Sequence, residues 1–231
     1  MSLKNKILNN RIKGFIFDLD GTLINTLKYH VQAFLKAFNE SSYTIDKKII
    51  EQNMGRTPWD IPSDILFNKN FNSLGGTEKK VVKKIASKKI KYYHEFLEGD
   101  IPVQNGAIKL LKYFKSNNYK LAVCSSTPQI NVNYILKKVK LFDFFDVIIT
   151  GDNIKIGKPN PAAYLLAVNH LHLKKEECII IGDSIHDIKA GKNGGIMCIS
   201  VCTGFHSKDQ LKSEAPDLLV NDLEELYSII S

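Results

Sequence analysis

The stretch Lys13-Gly14-Phe15-Ile16-Phe17-Asp18-Leu19-Asp20-Gly21-Thr22 decides the fold. An uninterrupted apolar run closed by a turn is the pattern of a strand buried on both faces of a parallel sheet. In extended backbone, residues two apart project to one side, so Asp18 and Asp20 can face a single site at the C-terminal edge of that sheet. Open α/β folds bind their ligands at this edge. Gly21 then permits a sharp turn away. By itself the segment also suits a strand followed by a polar turn, with Asp and Gly serving only turn chemistry.

Working outward, short apolar runs of the same kind recur at 121–124, 147–149, 178–181, 196–201 and 218–220. Segments with helical spacing lie between them, at 107–114, 130–139, 161–170, 188–193 and 223–230. From about residue 101 onward this alternation predicts βαβ units and a doubly wound parallel sheet. The stretch from Leu27 to Asp100 breaks the pattern. Its apolar positions, Val31, Phe34, Leu35 and Phe38 and then Val82, Ile85 and Ile90, follow a helical period. Loops are expected at Gly55-Arg56-Thr57-Pro58 and Ser73-Leu74-Gly75-Gly76. The expected organisation is a core of residues 1–24 and 101–231, with a helical domain of residues 25–100 inserted.

The chain has 231 residues, 44% of them hydrophobic, enough to bury a core as one large domain or one domain with an insert. No apolar stretch reaches the roughly 18 residues that span a bilayer. Met1 to Lys13 is basic and polar without an apolar h-region, so no secretory signal is expected. Cys124, Cys178, Cys198 and Cys202 form no CxxC pair, which predicts reduced thiols in a cytoplasmic protein. The net charge of +8 raises a nucleic-acid partner. However, only Arg11 and Arg56 are arginines, the residue that nucleic-acid contacts favour. Lysines such as Lys79, Lys80, Lys83, Lys84, Lys88, Lys89 and Lys91 read as the solvated face of a helix. The expected partner is a small molecule, neither nucleic acid nor membrane. A monomer is the default, with a dimer open.

A second acidic segment follows another apolar run, at Gly182-Asp183-Ser184-Ile185-His186-Asp187. Asp183 sits at the strand terminus, and Asp187 lies one helical turn on, able to face the same pocket. Helix capping accounts for one such acid more readily than for two. Gathering Asp18, Asp20, Asp183 and Asp187 is strongly repulsive without a cation. Hard oxygen ligands with no His or Cys cluster point to Mg²⁺ rather than zinc, and His186 is expected on the outer face of its helix. Val123-Cys124-Ser125-Ser126 puts hydroxyls and backbone N–H groups just ahead of a helix beginning near Pro128, a natural place for an anion. Gly157-Lys158-Pro159 supplies a lysine between a glycine and a proline.

The order DxDGT, apolar strand ending in Ser, Lys-Pro, GDSxxD resembles the haloacid dehalogenase superfamily, over Asp18 to Asp187. That resemblance implies a Rossmann-like core with an inserted helical cap. It also implies a Mg²⁺-dependent phosphatase acting on a small organic phosphate ester. In such enzymes the residue matching Asp18 is a covalent nucleophile, and the one matching Asp20 is acid and base. The cation is then held by Asp18, the Asp20 carbonyl and Asp183, with Asp187 behind them. Ser125, the Ser126 amide and Lys158 hold the phosphoryl oxygens. Dehalogenases lack the second aspartate, so Asp20 favours phosphoryl transfer. Within the superfamily, Thr203-Gly204-Phe205 is similar to phosphoglycolate phosphatases. Tyr29-His30 and Gly55-Arg56-Thr57 resemble the cap of β-phosphoglucomutases, where Arg56 could hold a second phosphate. From another class, a receiver-type phosphoacceptor domain also gathers aspartates, a hydroxyl and a lysine at strand ends, but carries no helical insert.

Overall fold

The computed structural model describes residues 11–231. Residues 1–10, most of the segment read above for a targeting signal and part of the expected 1–24 core piece, lie outside the described residues.

Strands β1 (Gly14–Phe17), β2 (Lys120–Cys124), β3 (Val147–Ile149), β4 (Cys178–Gly182), β5 (Met197–Val201) and β6 (Leu218–Val220) match the expected apolar runs closely. They form one six-stranded sheet in the order β3-β2-β1-β4-β5-β6, parallel throughout. The helices in chain order are α1 (Leu27–Asn39), α2 (Lys47–Gln52), α3 (Asp60–Phe67), α4 (Gly76–Phe96), α5 (Ala107–Ser116), α6 (Gln129–Lys138), α7 (Ala162–His170), α8 (Ile185–Gly194), α9 (Lys208–Ser213) and α10 (Leu223–Ile230).

β1 is wholly buried because both sheet faces are covered. Phe15 and Phe17 point to the face shared with Leu110, Phe114 and Leu226 of α5 and α10, and the Phe15 ring stacks on Phe114 at 3.7 Å. Ile16 points to the other, against Tyr164 and Ala167 of α7 and Ile188 of α8. This explains the lack of polar alternation in its sequence. β1 pairs with β2 on one side and β4 on the other, so the chain reverses its winding direction there. Such a switch point opens a crevice beyond the C-terminal strand ends.

Between β1 and β2 the chain is helical. Val31, Phe34 and Phe38 of α1 share one apolar cluster with Ile85 and Tyr93 of α4 and with Leu97 just after it. The buried stripe of α4 is Val82, Ile85, Ala86, Lys89, Tyr92 and Tyr93, the i, i+3, i+4, i+7 spacing of an amphipathic helix. Lys89 falls on that stripe and is 2% exposed, so it does not belong to the solvated lysine face expected for it. Among the described residues no helix is long and apolar enough to cross a membrane. All four cysteines are free thiols.

Candidate active site

The site forms where β1, β2 and β4 end side by side. The Asp18 amide donates to the Ile181 carbonyl at 2.9 Å, and the Ser125 amide donates to Ile149 at 3.0 Å. Ladder bonds therefore fix the backbone of both residues just past their strands. Carboxylate oxygens of Asp18, Asp183 and Asp187 lie within 4.8 Å of one another, all buried. Burial raises the Asp18 carboxyl well above its ordinary value; the Lys158 ammonium opposes this, and the Asp187 and Asp183 charges add to it. Burial and then the Asp187 charge push Asp183 up to about 7, against the Thr22 hydroxyl and Lys158. Carboxylates strained upward in this way, with only hard oxygen donors, fit a hard divalent cation.

Lys158 comes from the loop after β3 and is 2% exposed. Its ammonium contacts Asp18 Oδ1 and lies 2.8 Å from Asp187 Oδ1 and 3.3 Å from the Cys124 carbonyl. Burial works against its charge, yet the two carboxylates hold its pKa above the ordinary lysine value. Asp187 also accepts from the Tyr164 hydroxyl at 2.7 Å and the Ser184 hydroxyl at 2.6 Å. Ser184 caps α8 reciprocally with Asp187, so the capping role considered for this segment is real. It does not exhaust the acids: Asp183 remains, accepting from the Thr22 hydroxyl at 2.8 Å. Gly21, at φ +101°, and Gly204 both approach Asp183 so closely that a Cβ on either would overlap its Oδ2.

Asp20 faces the opposite side of the crevice, inside a ring of donors. Oδ1 accepts from the hydroxyls of Thr26 and Tyr93, each at 2.6 Å, and lies 3.0 Å from His30 Nε2. Oδ2 accepts from Thr127 at 3.0 Å and Ser125 at 3.3 Å. Burial alone raises this carboxyl, but His30, Thr26 and Tyr93 outweigh it and hold Asp20 well below the usual carboxylate range. Behind His30, its Nδ1 lies 2.7 Å from Lys89 Nζ. A protonated Lys89 makes Nδ1 the acceptor, which leaves the ring proton on Nε2, facing Asp20. Burial, then Lys89, lower the His30 pKa, while Asp20 raises it.

Ser126, expected beside the phosphate through its amide, donates its hydroxyl to the Gly55 carbonyl at 2.9 Å, tying the end of β2 to the 53–57 loop. Arg56 does reach the crevice, but its guanidinium is held by Asn53 Oδ1 at 2.8 Å and Asp64 Oδ2 at 3.1 Å. His186 is not on an outer face. Its ring packs against His206 at 5.8 Å, and both of its nitrogens are buried without a partner. Between Asp18, Asp20 and Ser125 on the core side and Phe34, Met54 and Lys89 opposite, the crevice closes to a cavity of about 30 Å³. Sequence reasoning missed Thr26, His30, Tyr93 and Thr127 as neighbours of Asp20, and Lys89 as the neighbour of His30. For Lys89 and Tyr93 a signal existed, their place on the apolar stripe of α4. Thr26 and Thr127 carry none.

The chain is similar to the pyrophosphatase PpaX of Bacillus cereus (strain Q1), 29% identical over 221 residues covering 96% of this chain and 97% of the relative. Among solved structures it is similar to a hydrolase from Pseudomonas syringae, with TM-score 0.82 and 25% identity over 95% of this chain and 100% of that one. A β-phosphoglucomutase from Clostridium difficile superposes with TM-score 0.80 and 26% identity, covering 95% and 97%. The family model for haloacid dehalogenase-like hydrolases matches residues 15–201, which include Asp18, Asp20, Ser125, Lys158, Asp183 and Asp187. On that match, and on a parallel sheet that brings these side chains to one edge, the chain belongs to the haloacid dehalogenase-like hydrolases.

Proposed function

We propose that the chain is a Mg²⁺-dependent phosphatase that hydrolyses a small phosphate ester through an aspartyl-phosphate on Asp18. The observation that supports it best is the buried contact of Asp18 with Lys158, beside Asp183 and across the crevice from Asp20. In this reading Asp18, Asp183 and the Asp20 carbonyl hold Mg²⁺, which when bound offsets the repulsion between an anionic nucleophile and an anionic phosphate. Asp18 attacks phosphorus and the bond to the leaving oxygen breaks. Asp20 gives that oxygen a proton, then takes one from the water that cleaves the aspartyl-phosphate and frees inorganic phosphate. Such acid–base help is worth about 10² to 10⁴-fold. The donors around Asp20 favour its anion in the free chain, so the proton for the first step arrives with the substrate: a phosphate monoanion passes its proton to Asp20, which delivers it to the leaving oxygen. Ser125, the Ser126 amide and Lys158 orient the phosphoryl oxygens. Asp187 stays behind Lys158, since both its oxygens already have protein donors.

Residues 25–100 serve in this reading as a cap on the core of residues 11–24 and 101–231. A pyrophosphate substrate, suggested by the name of the Bacillus relative, and a phosphoglycolate-type ester both fall within this chemistry. The mutase reading needs a free Arg56, which Asp64 occupies. Buried free thiols suit a reducing cytoplasmic setting.

The test is phosphate release from p-nitrophenyl phosphate with and without Mg²⁺. Chelation is expected to stop release, and Asp18→Asn to abolish it while the chain stays folded. Substantial turnover by Asp18→Asn would sink the nucleophile assignment.

A further inference from the structure

Lys89 has no step in that mechanism, yet its place in the fold is costly. Its ammonium is buried beneath α1, 4.6 Å over the Tyr93 ring and 5.1 Å over Phe34. Among the described residues no carboxylate comes within ion-pair distance of it; its polar contact is His30 Nδ1. An ammonium has three donors, and His30 accepts one. Burying such a charge without a counter-ion is strongly unfavourable, and the α4 stripe would be filled more stably by an apolar side chain. The aromatic faces stabilise it only in part.

Lys89 also lines the cavity that holds Asp18 and Asp20. The other walls contributed by residues 25–100 include Leu27, Phe34, Met54, Pro58 and Ile61, which offer nothing to a polar leaving group. Arg56 is neutralised by Asp64, and His30 faces Asp20. Lys89 is therefore the cavity cation left without an anion.

We propose that Lys89 is a specificity-determining residue that receives a second, compact anionic group, a carboxylate or a phosphate, on the leaving side of the scissile bond. The enzyme accordingly selects short doubly anionic phosphates over neutral esters of the same size. This rests on the phosphatase reading above. An anionic group bound beside Lys89 keeps it protonated and paired, whereas a neutral ester leaves the buried amine without its partner, and sites of that kind reject the analogue lacking the polar group by large factors. The tight apolar walls add the limit on length. A lysine present only to balance Asp20 through His30 would instead affect every substrate alike.

Matched substrates separate these roles. Phosphoglycolate and 2-hydroxyethyl phosphate differ in a carboxylate against a CH₂OH. Pyrophosphate and methyl phosphate differ in the second phosphate. We expect kcat/KM of the wild-type enzyme to favour the anionic member of at least one pair by about 100-fold or more. Preference within the first pair alone identifies a carboxylate, and within the second alone a phosphate. In Lys89→Met, which keeps the stem and removes the charge, that ratio is expected to fall to a few-fold, mainly through KM. Equal losses on both members of the preferred pair, or no wild-type preference in either, overturn the proposal; the wild-type comparison stands even where the variant fails to fold. Absence of Mg²⁺-dependent release from every ester, p-nitrophenyl phosphate included, would instead mark failure of the phosphatase reading beneath it.

Discussion

Asp187 Oδ1 lies 2.8 Å from Lys158 Nζ, with both side chains sealed from solvent. Tyr164 and Ser184 take the remaining acceptor positions of Asp187, so it acts as a fixed strut that aims Lys158 at Asp18. Replacing it with the isosteric Asn keeps the shape and removes the charge. Asp187→Asn is expected to lower kcat by about 10 to 100-fold, the usual cost of losing an orienting partner. Tyr164→Phe should fall in the same direction by less. Initial rates on p-nitrophenyl phosphate at saturating Mg²⁺ check both.

Gly204 bears on the cation rather than on the nucleophile. A methyl group there overlaps the Asp183 carboxylate and approaches the Asp183 backbone oxygen, so the strand-end loop must shift. Gly204→Ala is expected to raise the Mg²⁺ concentration for half-maximal activity about 10-fold or more. Gly75→Ala is the control, since the nearest atom to its added Cβ is 3.6 Å away. Magnesium titrations of the two variants should diverge.

Tyr93 holds Asp20 while its ring stacks on His30 at 3.8 Å. Tyr93→Phe removes the hydroxyl and leaves the stack. A hydrogen bond to a charged group contributes about 1.5 to 3 kcal/mol, so a kcat loss of about 10-fold or more is expected on an alkyl phosphate. The loss should be smaller with p-nitrophenyl phosphate, whose leaving group needs less help from a proton. An equal loss on both substrates would remove Tyr93 from the handling of Asp20.

Lys89 links stability to pH. Burial pulls its pKa from 10.5 down to about 7, against the opposing pull of Asp20. Between those values the unfolded chain binds this proton and the folded chain does not, so this group makes stability rise with pH across the window. Its burial penalty is felt in full below about 7. Lys89→Met, which lacks the penalty, is expected to be more stable than wild type by about 1 to 4 kcal/mol at low pH. The gap should narrow as pH climbs toward 10.5. Denaturant midpoints at about pH 6.5 and about pH 9.5 test the sign, and a gap that widens with pH contradicts it.

The strands and the acidic strand ends were legible because both are local. A run such as Phe15-Ile16-Phe17 has one comfortable environment, and Asp18 follows it directly. Lys158 was legible through its Gly-Lys-Pro frame. The environment of Asp20 was not, since Thr26, His30, Tyr93 and Thr127 converge on it from elements whose packing no short motif encodes. Lys89 misled because neighbouring lysines masked its place on the apolar stripe, and Arg56 because nothing in its loop announces Asp64. His186 turned inward for a similar reason: His206 lies on another strand-end loop.

The site is assembled from distant parts of the chain. Ser125 reaches Asp20 across 105 residues of sequence, and Thr22 reaches Asp183 across 161. Contacts of such separation close late and slowly, after most of the loop entropy has been lost. A growing chain that stops short of β4 lacks Asp183 altogether, whatever structure its first half has reached. Catalysis should therefore be the last property to return on refolding, which makes the hydrolytic rate a reporter of the completed sheet rather than of early collapse.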